Sequence, residues 1–321
     1  MRYLLLIATA LTFPDIAMAA SDCGDEASQT AEVAMAIQTP EQFAAPSVEL
    51  EVPGLAVDTV APTRNIAPEP ATIQVAQSEP EAAPPSAETQ AAPVEAYAAL
   101  LQKRISRGEG GLNLFDYAGV HSSGGLKVIT AYTDHLASQN PDAMNQADQI
   151  AYWANLYNGL TLKVVLENYP VSSIRKIKSG AFSAGPWDRD AVSVNGKTLT
   201  LNDIEHEILR KRYPNPSMVH YMVNCASIGC PNLLDKPWAG ETLEADREQA
   251  ARDYINSPRG VAIDGKDLEV SSIYKWFQED FGGSKSGVVE HVKKFAGPEL
   301  LAAIESGAKI DGFEYDWSLN E

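Results

Sequence analysis

An α+β fold is predicted for this chain: a single helix-rich domain around a small, mostly antiparallel sheet, after a disordered tail. Three observations carry the prediction. The dipeptides Asn195-Gly196 and Asp264-Gly265 each sit between short strand-like runs, and such turns join antiparallel strands. Long segments with apolar residues at helical spacing surround those hairpins. No strand–helix–strand repeat links the elements, which argues against a doubly wound parallel sheet.

The chain opens with Met1-Arg2, an apolar run from Leu4 to Phe13, and Ala17-Met18-Ala19. That order, positive, apolar, then small-x-small, predicts a signal peptide over residues 1–19. Its apolar run is too short to span a bilayer, and no later run is longer, so no stable membrane insertion is expected. The expected location is periplasmic or secreted, where disulfides are permitted.

Residues 20–93 are rich in Ala, Pro, Glu and Gln, with Phe43 the only aromatic. Such a composition cannot bury enough apolar surface to offset its ordering entropy, so it predicts a disordered acidic linker. A partner-binding tail, reaching an envelope protein, is the alternative for it. Much of the net charge of −18 sits there: residues 22–95 hold 13 acidic and one basic side chain. Neither part of the chain carries a basic stripe, so nucleic acid is excluded as a partner.

The globular domain is expected over residues 94–321. Tyr97, Leu100, Leu101, Arg104 and Ile105 keep helical spacing, and Arg107-Gly-Glu-Gly-Gly111 ends that helix. A second helix is predicted from Leu126 to Ser138, stopped by Asn140-Pro141. The third, Ala147 to Asn168, is apolar nearly all round, which predicts a central, buried helix. The strands Ala191–Val194 and Lys197–Thr200 flank Asn195-Gly196. A helix from Asp203 to Arg210 follows, and then a central strand, Met218 to Asn224. An amphipathic helix is predicted over Thr242 to Ile255, a second hairpin around Asp264-Gly265, and a helix through Ile273, Trp276, Phe277 and Phe281. Two further helices lead to Phe313-Glu-Tyr-Asp-Trp-Ser-Leu-Asn320.

Polar residues inside apolar patterns are the candidate functional groups. Asn155 and Asn158 share one stripe of the buried helix, and a buried amide must be hydrogen-bonded. They either tie down backbone or orient a catalytic imidazole. At about 100° per residue, Glu205 falls inside the apolar face of its helix and His206 on the flank of that face. A carboxylate aimed at the core must be paired or protonated. His220 reads as a structural histidine, because strand alternation places it opposite Cys225. Cys225 and Cys230 bracket a tight turn, Cys225-Ala-Ser-Ile-Gly-Cys-Pro231, where a strand end would hold a reactive side chain rigidly.

Trp153-Ala-Asn-Leu-Tyr-Asn158, Tyr169-Pro-Val-Ser-Ser-Ile174, Leu201-Asn-Asp-Ile-Glu-His-Glu-Ile-Leu-Arg210, His220-Tyr-Met-Val-Asn-Cys-Ala-Ser-Ile-Gly-Cys-Pro231, Ser272-Ile-Tyr-Lys-Trp-Phe-Gln-Glu-Asp-Phe281 and Tyr315-Asp-Trp-Ser-Leu-Asn320 occur in that order. Together they resemble the domain-of-unknown-function family 547, over about Val94 to the C terminus. The resemblance implies no established activity. It directs attention to Asn155, Asn158, Glu205, His206, Cys225 and Cys230.

Gly-x-Gly-x-x-Gly, P-loop, His-Glu-x-x-His, Cys-x-x-Cys and Gly-x-Ser-x-Gly patterns are absent. The two cysteines with His206 and His220 match no common zinc spacing, so neither metal nor cofactor is expected. Two readings stay open. In the first, Cys225 is the nucleophile of an acyl hydrolase or transferase acting on a small-molecule or peptide ligand. His206 is then its base, and Glu205, Asn155 or Asn158 the orienting group. In the second, the domain is a binding or structural module of the envelope, and a Cys225–Cys230 disulfide closes a short loop for about 2 kcal/mol. Cys23 is then left odd. Limited proteolysis of the mature chain is expected to leave a stable core starting between about Pro93 and Leu101; a protected tail, seen by mass spectrometry of the digest, contradicts the linker reading.

Overall fold

Helical spacing around Tyr97 forms the first element of the computed structural model, which describes residues 87–178, 180 and 185–321. The expected signal peptide and most of the expected linker lie outside the described residues. In chain order the elements are α1 (Ala87–Arg104), β1 (Ile105–Arg107), β2 (Asn113–Phe115), α2 (Tyr117–Ser122), α3 (Leu126–Ala137), α4 (Gln146–Glu167), β3 (Asp190–Val194) and β4 (Lys197–Thr200). A π-helical stretch, Asp203–Leu209, leads into α5 (Arg210–Arg212) and α6 (Pro216–Val219). Then come α7 (Leu243–Ile255), β5 (Val261–Asp264), β6 (Asp267–Ser271), α8 (Ile273–Trp276), α9 (Lys285–Lys293), α10 (Pro298–Glu305) and β7 (Ile310–Glu314). The fold is α+β, and no described helix is long and apolar enough to cross a membrane. The helix α1 starts seven residues before Val94 and carries Pro93 within it.

The sheets are small and separate. β1 pairs with β2 and β3 with β4, both antiparallel. In the third sheet β6 lies between antiparallel β5 and parallel β7. Asn195 (φ 50°) and Gly196 (φ 75°) take the left-handed conformations that a type I′ turn needs at both central residues. The second hairpin turns one residue later than expected, on Gly265-Lys266, because Asp264 and Asp267 still pair.

The expected central strand Met218–Asn224 is not a strand. Pro216 opens α6, with Asn215 (φ 60°) before it, and the chain then turns to Asn224. Every residue from Met218 to Asn224 is buried. A run buried on all sides has no period to distinguish helix from strand, and Pro at the first helical position favours the helix.

α4 is the centre of the domain. Asn145 caps it by accepting from Asp148 N, and fifteen of its residues are buried. It packs on α3, on the π-helical stretch and on the Gly240–Thr242 turn. Gly159 lets α3 come close: a Cβ there would lie 2.9 Å from Thr133 Cγ2. Beside α3, the Tyr132 ring stacks on Tyr97 of α1 at 3.9 Å.

The two amides of α4 serve as backbone partners. Asn155 Nδ2 donates to Trp238 O at 2.8 Å, and its Oδ1 accepts from Trp238 N at 2.8 Å. Asn158 Nδ2 donates to Met222 O at 2.9 Å, and its Oδ1 accepts from Asn224 N at 2.8 Å. Each amide thus replaces a strand partner for chain that forms no sheet. Asn158→Ala leaves the buried Asn224 N–H unpaired, while Met222 O keeps its bond from Trp238 Nε1, and should lower stability by about 1–3 kcal/mol in a urea titration.

His291 of α9 is buried against Tyr221, whose hydroxyl lies 2.8 Å from its Nε2. Burial, with smaller contributions from Lys294 and His220, lowers its pKa from 6.5 to about 4. The unfolded chain therefore binds the extra proton first as pH falls. Stability is full above about 6.5 and is lost as pH falls towards 4, by about 3 kcal/mol for this group. Urea midpoints measured from pH 7 to pH 4 should show that loss, with a shallower dependence in His291→Gln.

Candidate functional site

The site is built on the turn after Asn224. Asn224 Nδ2 donates to Pro231 O at 2.7 Å, and its Oδ1 accepts from Ala226 N at 2.9 Å, so one side chain ties both ends of the loop. Ala226 holds φ 58°, a left-handed conformation that costs an L-residue roughly 1–2 kcal/mol. Such strain often collects at sites that the surrounding structure forces into shape. From outside, Tyr254 donates to Gly229 O at 2.6 Å and Arg259 to Cys230 O at 3.0 Å. The C-terminal segment closes the other side: Ile228 N donates to Ser318 O and Gly229 N to Asp316 O. Gly229 is required there, since a Cβ would lie 2.9 Å from the Tyr315 ring.

This bracing uses most of the turn's backbone donors. The N–H groups of Ala226, Ile228, Gly229 and Cys230, which could otherwise hold an oxyanion, are taken by Asn224, Ser318, Asp316 and Ser227. Cys225 N is the exception in kind, because it donates to Cys230 Sγ at 3.0 Å.

Both cysteines are free thiols. Cys225 is half-buried and Cys230 is 4% exposed. Cys225 Sγ hydrogen-bonds with Ser227 Oγ and with the Tyr315 hydroxyl, each at 3.1 Å. The Tyr315 hydroxyl also reaches Cys230 Sγ at 3.2 Å and Ser227 Oγ at 2.9 Å. The two thiols are neighbours, bridged by the Tyr315 hydroxyl, and each influences the other's charge. Burial pushes both thiols up. On Cys230 it is outweighed by hydrogen bonds from Cys225, Tyr315 and Ser227, and its pKa is lowered. On Cys225 burial wins, reinforced by the neighbouring sulfur, and the pKa rises well above the thiol range. The first proton therefore leaves the pair easily, with the charge held on Cys230, and the second leaves with difficulty.

The two sulfurs face a cavity of about 190 Å³. Glu205, His206, His220, Asn202 and Tyr157 share its lining with Trp187, Trp276, Phe277, Tyr315 and Trp317. Three of the predicted site residues, Cys225, His206 and Glu205, thus meet at one cavity. Asn155 and Asn158 do not line it. Asn158 acts on it indirectly, by fixing Asn224 next to Cys225.

Glu205 is buried, as its place on the apolar face predicted. The Tyr157 hydroxyl lies near its carboxylate, and its Oε1 lies 3.8 Å from His206 Nδ1. His206 Nδ1 lies 3.3 Å from Arg210 Nη1. The expected α-helix is π-helical here. Its wider turn brings neighbouring side chains nearer in angle, and such turns recur at functional sites. His206 is not among the hydrogen-bond partners of Cys225.

His220 lines the cavity, which the predicted strand alternation placed out of reach. Its Nε2 lies 2.7 Å from Asp280 Oδ2, and its ring stacks on Phe277 at 4.4 Å. Burial lowers the His220 pKa, so neutral His220 donates to ionised Asp280. Burial alone would raise the Asp280 carboxyl; hydrogen bonds from His220 and from Arg210 (2.6 Å) overcome it and bring it down to about 2. Asp280, Tyr315, Ser227 and the three tryptophans were not singled out from the sequence. The spacing between Cys225 and Tyr315 offers no local pattern, and only the fold joins them. Among the described residues, no group of three or more His, Cys, Asp or Glu side chains is placed to hold a metal ion.

No curated protein and no solved structure matches the chain. The family match is narrower than the span of the shared motifs and leaves Trp276, Asp280, Tyr315 and Trp317 outside it. Residues 141–255, which carry both cysteines, Glu205, His206, Asn155 and Asn158, match the family described as Protein of unknown function, DUF547.

Proposed function

We propose that the chain is an exported, thiol-dependent acyl hydrolase or transferase whose nucleophile is Cys225. The observation that carries this reading is the pair of neighbouring thiols at the wall of an aromatic cavity, with the Tyr315 hydroxyl on both sulfurs and the Ser227 hydroxyl on Cys225. Cys225 is the more exposed sulfur, and Cys230 is the better place for negative charge. Cys225 attacks the carbonyl carbon of an ester, thioester or amide while its proton passes to the Cys230 thiolate. The carbon–leaving-group bond breaks, and the leaving group departs with that proton. Water, or an acceptor in the transferase case, then cleaves the S-acyl bond and restores the thiol. Tyr315 and Ser227 are the hydroxyl donors next to the reacting carbonyl, a role that the spent backbone N–H groups cannot fill. His206 shares the cavity and suits proton transfer to the leaving group. The N-terminal segment over residues 1–19 supports export to the periplasm or beyond.

A second reading follows from the same proximity. Two thiols five residues apart that share one hydroxyl partner are placed to close a disulfide, which would make the domain a non-catalytic envelope module. The chain alkylated without reductant separates the two, by mass spectrometry of the peptide spanning Val219 to Lys236. An adduct first on Cys225, formed with an apparent pKa below about 8.5, is the expected result. Cys230→Ser should slow that labelling more than His206→Ala does, because the sulfur and not the imidazole receives the proton. A peptide two hydrogens light, with no adduct, overturns the nucleophile reading.

A further inference from the structure

The lining of the cavity is unusual in its charge. Among the described residues it contains one carboxylate, Glu205, and no lysine or arginine. Two guanidinium groups come close to the aromatic wall, Arg175 over Trp317 at 5.1 Å and Arg210 over Phe277 at 4.6 Å, but neither lines the cavity. Arg210 is already held by Asp280 at 2.6 Å. The polar neighbours of Glu205 include the Tyr157 hydroxyl, His220, which burial keeps neutral, and His206 at 3.8 Å, beyond hydrogen-bond length. A buried carboxylate without a fixed cation is costly unless something else supplies the positive charge.

The rings around it suit that charge. Trp317 packs against Tyr315 at 4.6 Å, Trp276 at 5.6 Å and Trp187 at 5.8 Å, and Trp276 lies 4.9 Å from Tyr315. Tryptophan faces attract cations more strongly than other aromatic rings, and aromatic walls recognise quaternary ammonium groups. Trp276 is 47% exposed, and it and Ile263 are the exposed large hydrophobic side chains of the described residues. A ring kept in water at the rim of a cavity is an unfilled stacking surface. An anionic ligand would meet Glu205 as a repulsive charge, and a neutral one would leave that charge uncompensated.

We infer that the cavity binds a cationic amine, its ammonium beside Glu205 and against the tryptophan faces, and that the substrates are amine-bearing esters, thioesters or amides. The substrate half of this rests on Cys225 as nucleophile; the binding half does not. Choline is the probe, with neohexyl alcohol, in which carbon replaces the nitrogen, as its neutral isostere. Tryptophan fluorescence of the full chain is titrated with each at constant ionic strength. Choline should bind about tenfold more tightly than the alcohol. Glu205→Gln should abolish that preference, and Trp276→Ala, at an exposed ring, should weaken choline several-fold. Equal affinity for the two probes, or no saturable response to choline, overturns the inference. If Glu205→Gln does not fold, the wild-type ratio and Trp276→Ala decide it. Choline binding beside an inert Cys225 would sink the thiol reading alone, and a reactive Cys225 without choline binding would sink this one alone.

Discussion

The carboxamide of Asn158 is the contact on which the rest of the site depends. It projects from a helix that is buried nearly all round, so it must find partners inside the protein. It finds a carbonyl at Met222 and an N–H at Asn224. Those two bonds fix the chain entering the cysteine turn to the most rigid element of the domain. Asn224 then spans the turn with its own side chain, and Tyr254, Arg259 and the C-terminal segment brace it from outside. Precision at the sulfurs is inherited from a helix that never touches the cavity with either asparagine.

The turn solves an electrostatic problem in an uncommon way. Its backbone N–H groups are consumed by holding the loop in shape. What remains for a thiolate is one amide, two hydroxyls and a second thiol. Because the donors gather around both sulfurs, the pair behaves as one titrating unit, and the buried member carries its charge. Exposure and acidity are thereby divided between two residues: Cys225 meets the cavity, and Cys230 stores the charge. A single cysteine in this apolar surrounding would have neither amide nor neighbour to offset its burial.

Much of the fold was legible because local chemistry decided it. Asn195-Gly196 demanded two positive φ angles and formed the hairpin. The all-round apolar pattern of α4 marked the central helix, and the helical wheel placed Glu205 in the core. The legible part of the site was the part carried by one element at a time: Glu205 and His206 on one helix, Cys225 and Cys230 on one turn. What failed was where two answers share one pattern. Met218–Asn224 is buried on every side, so alternation carried no information; His220 is the satisfied, buried histidine that was expected, but its placement on the face opposite Cys225 failed with the strand. The parallel pairing of β7 with β6, and the arrival of Tyr315 and Trp317 at the cysteines, depend on contacts far apart in sequence that no window of residues encodes. The breadth of the π-helical turn was likewise invisible to a wheel built on α-helical spacing.

The contact between Cys225 and Tyr315 joins residues 90 positions apart, whereas the two cysteines are joined by a five-residue turn. Short loops close at far lower entropic cost than long ones, and contacts distant in sequence form late in folding. The sulfurs can therefore meet well before the tyrosine covers them. For that interval the dithiol stands open to its surroundings with the Ser227 hydroxyl beside it but without the tyrosine hydroxyl that later bridges both sulfurs.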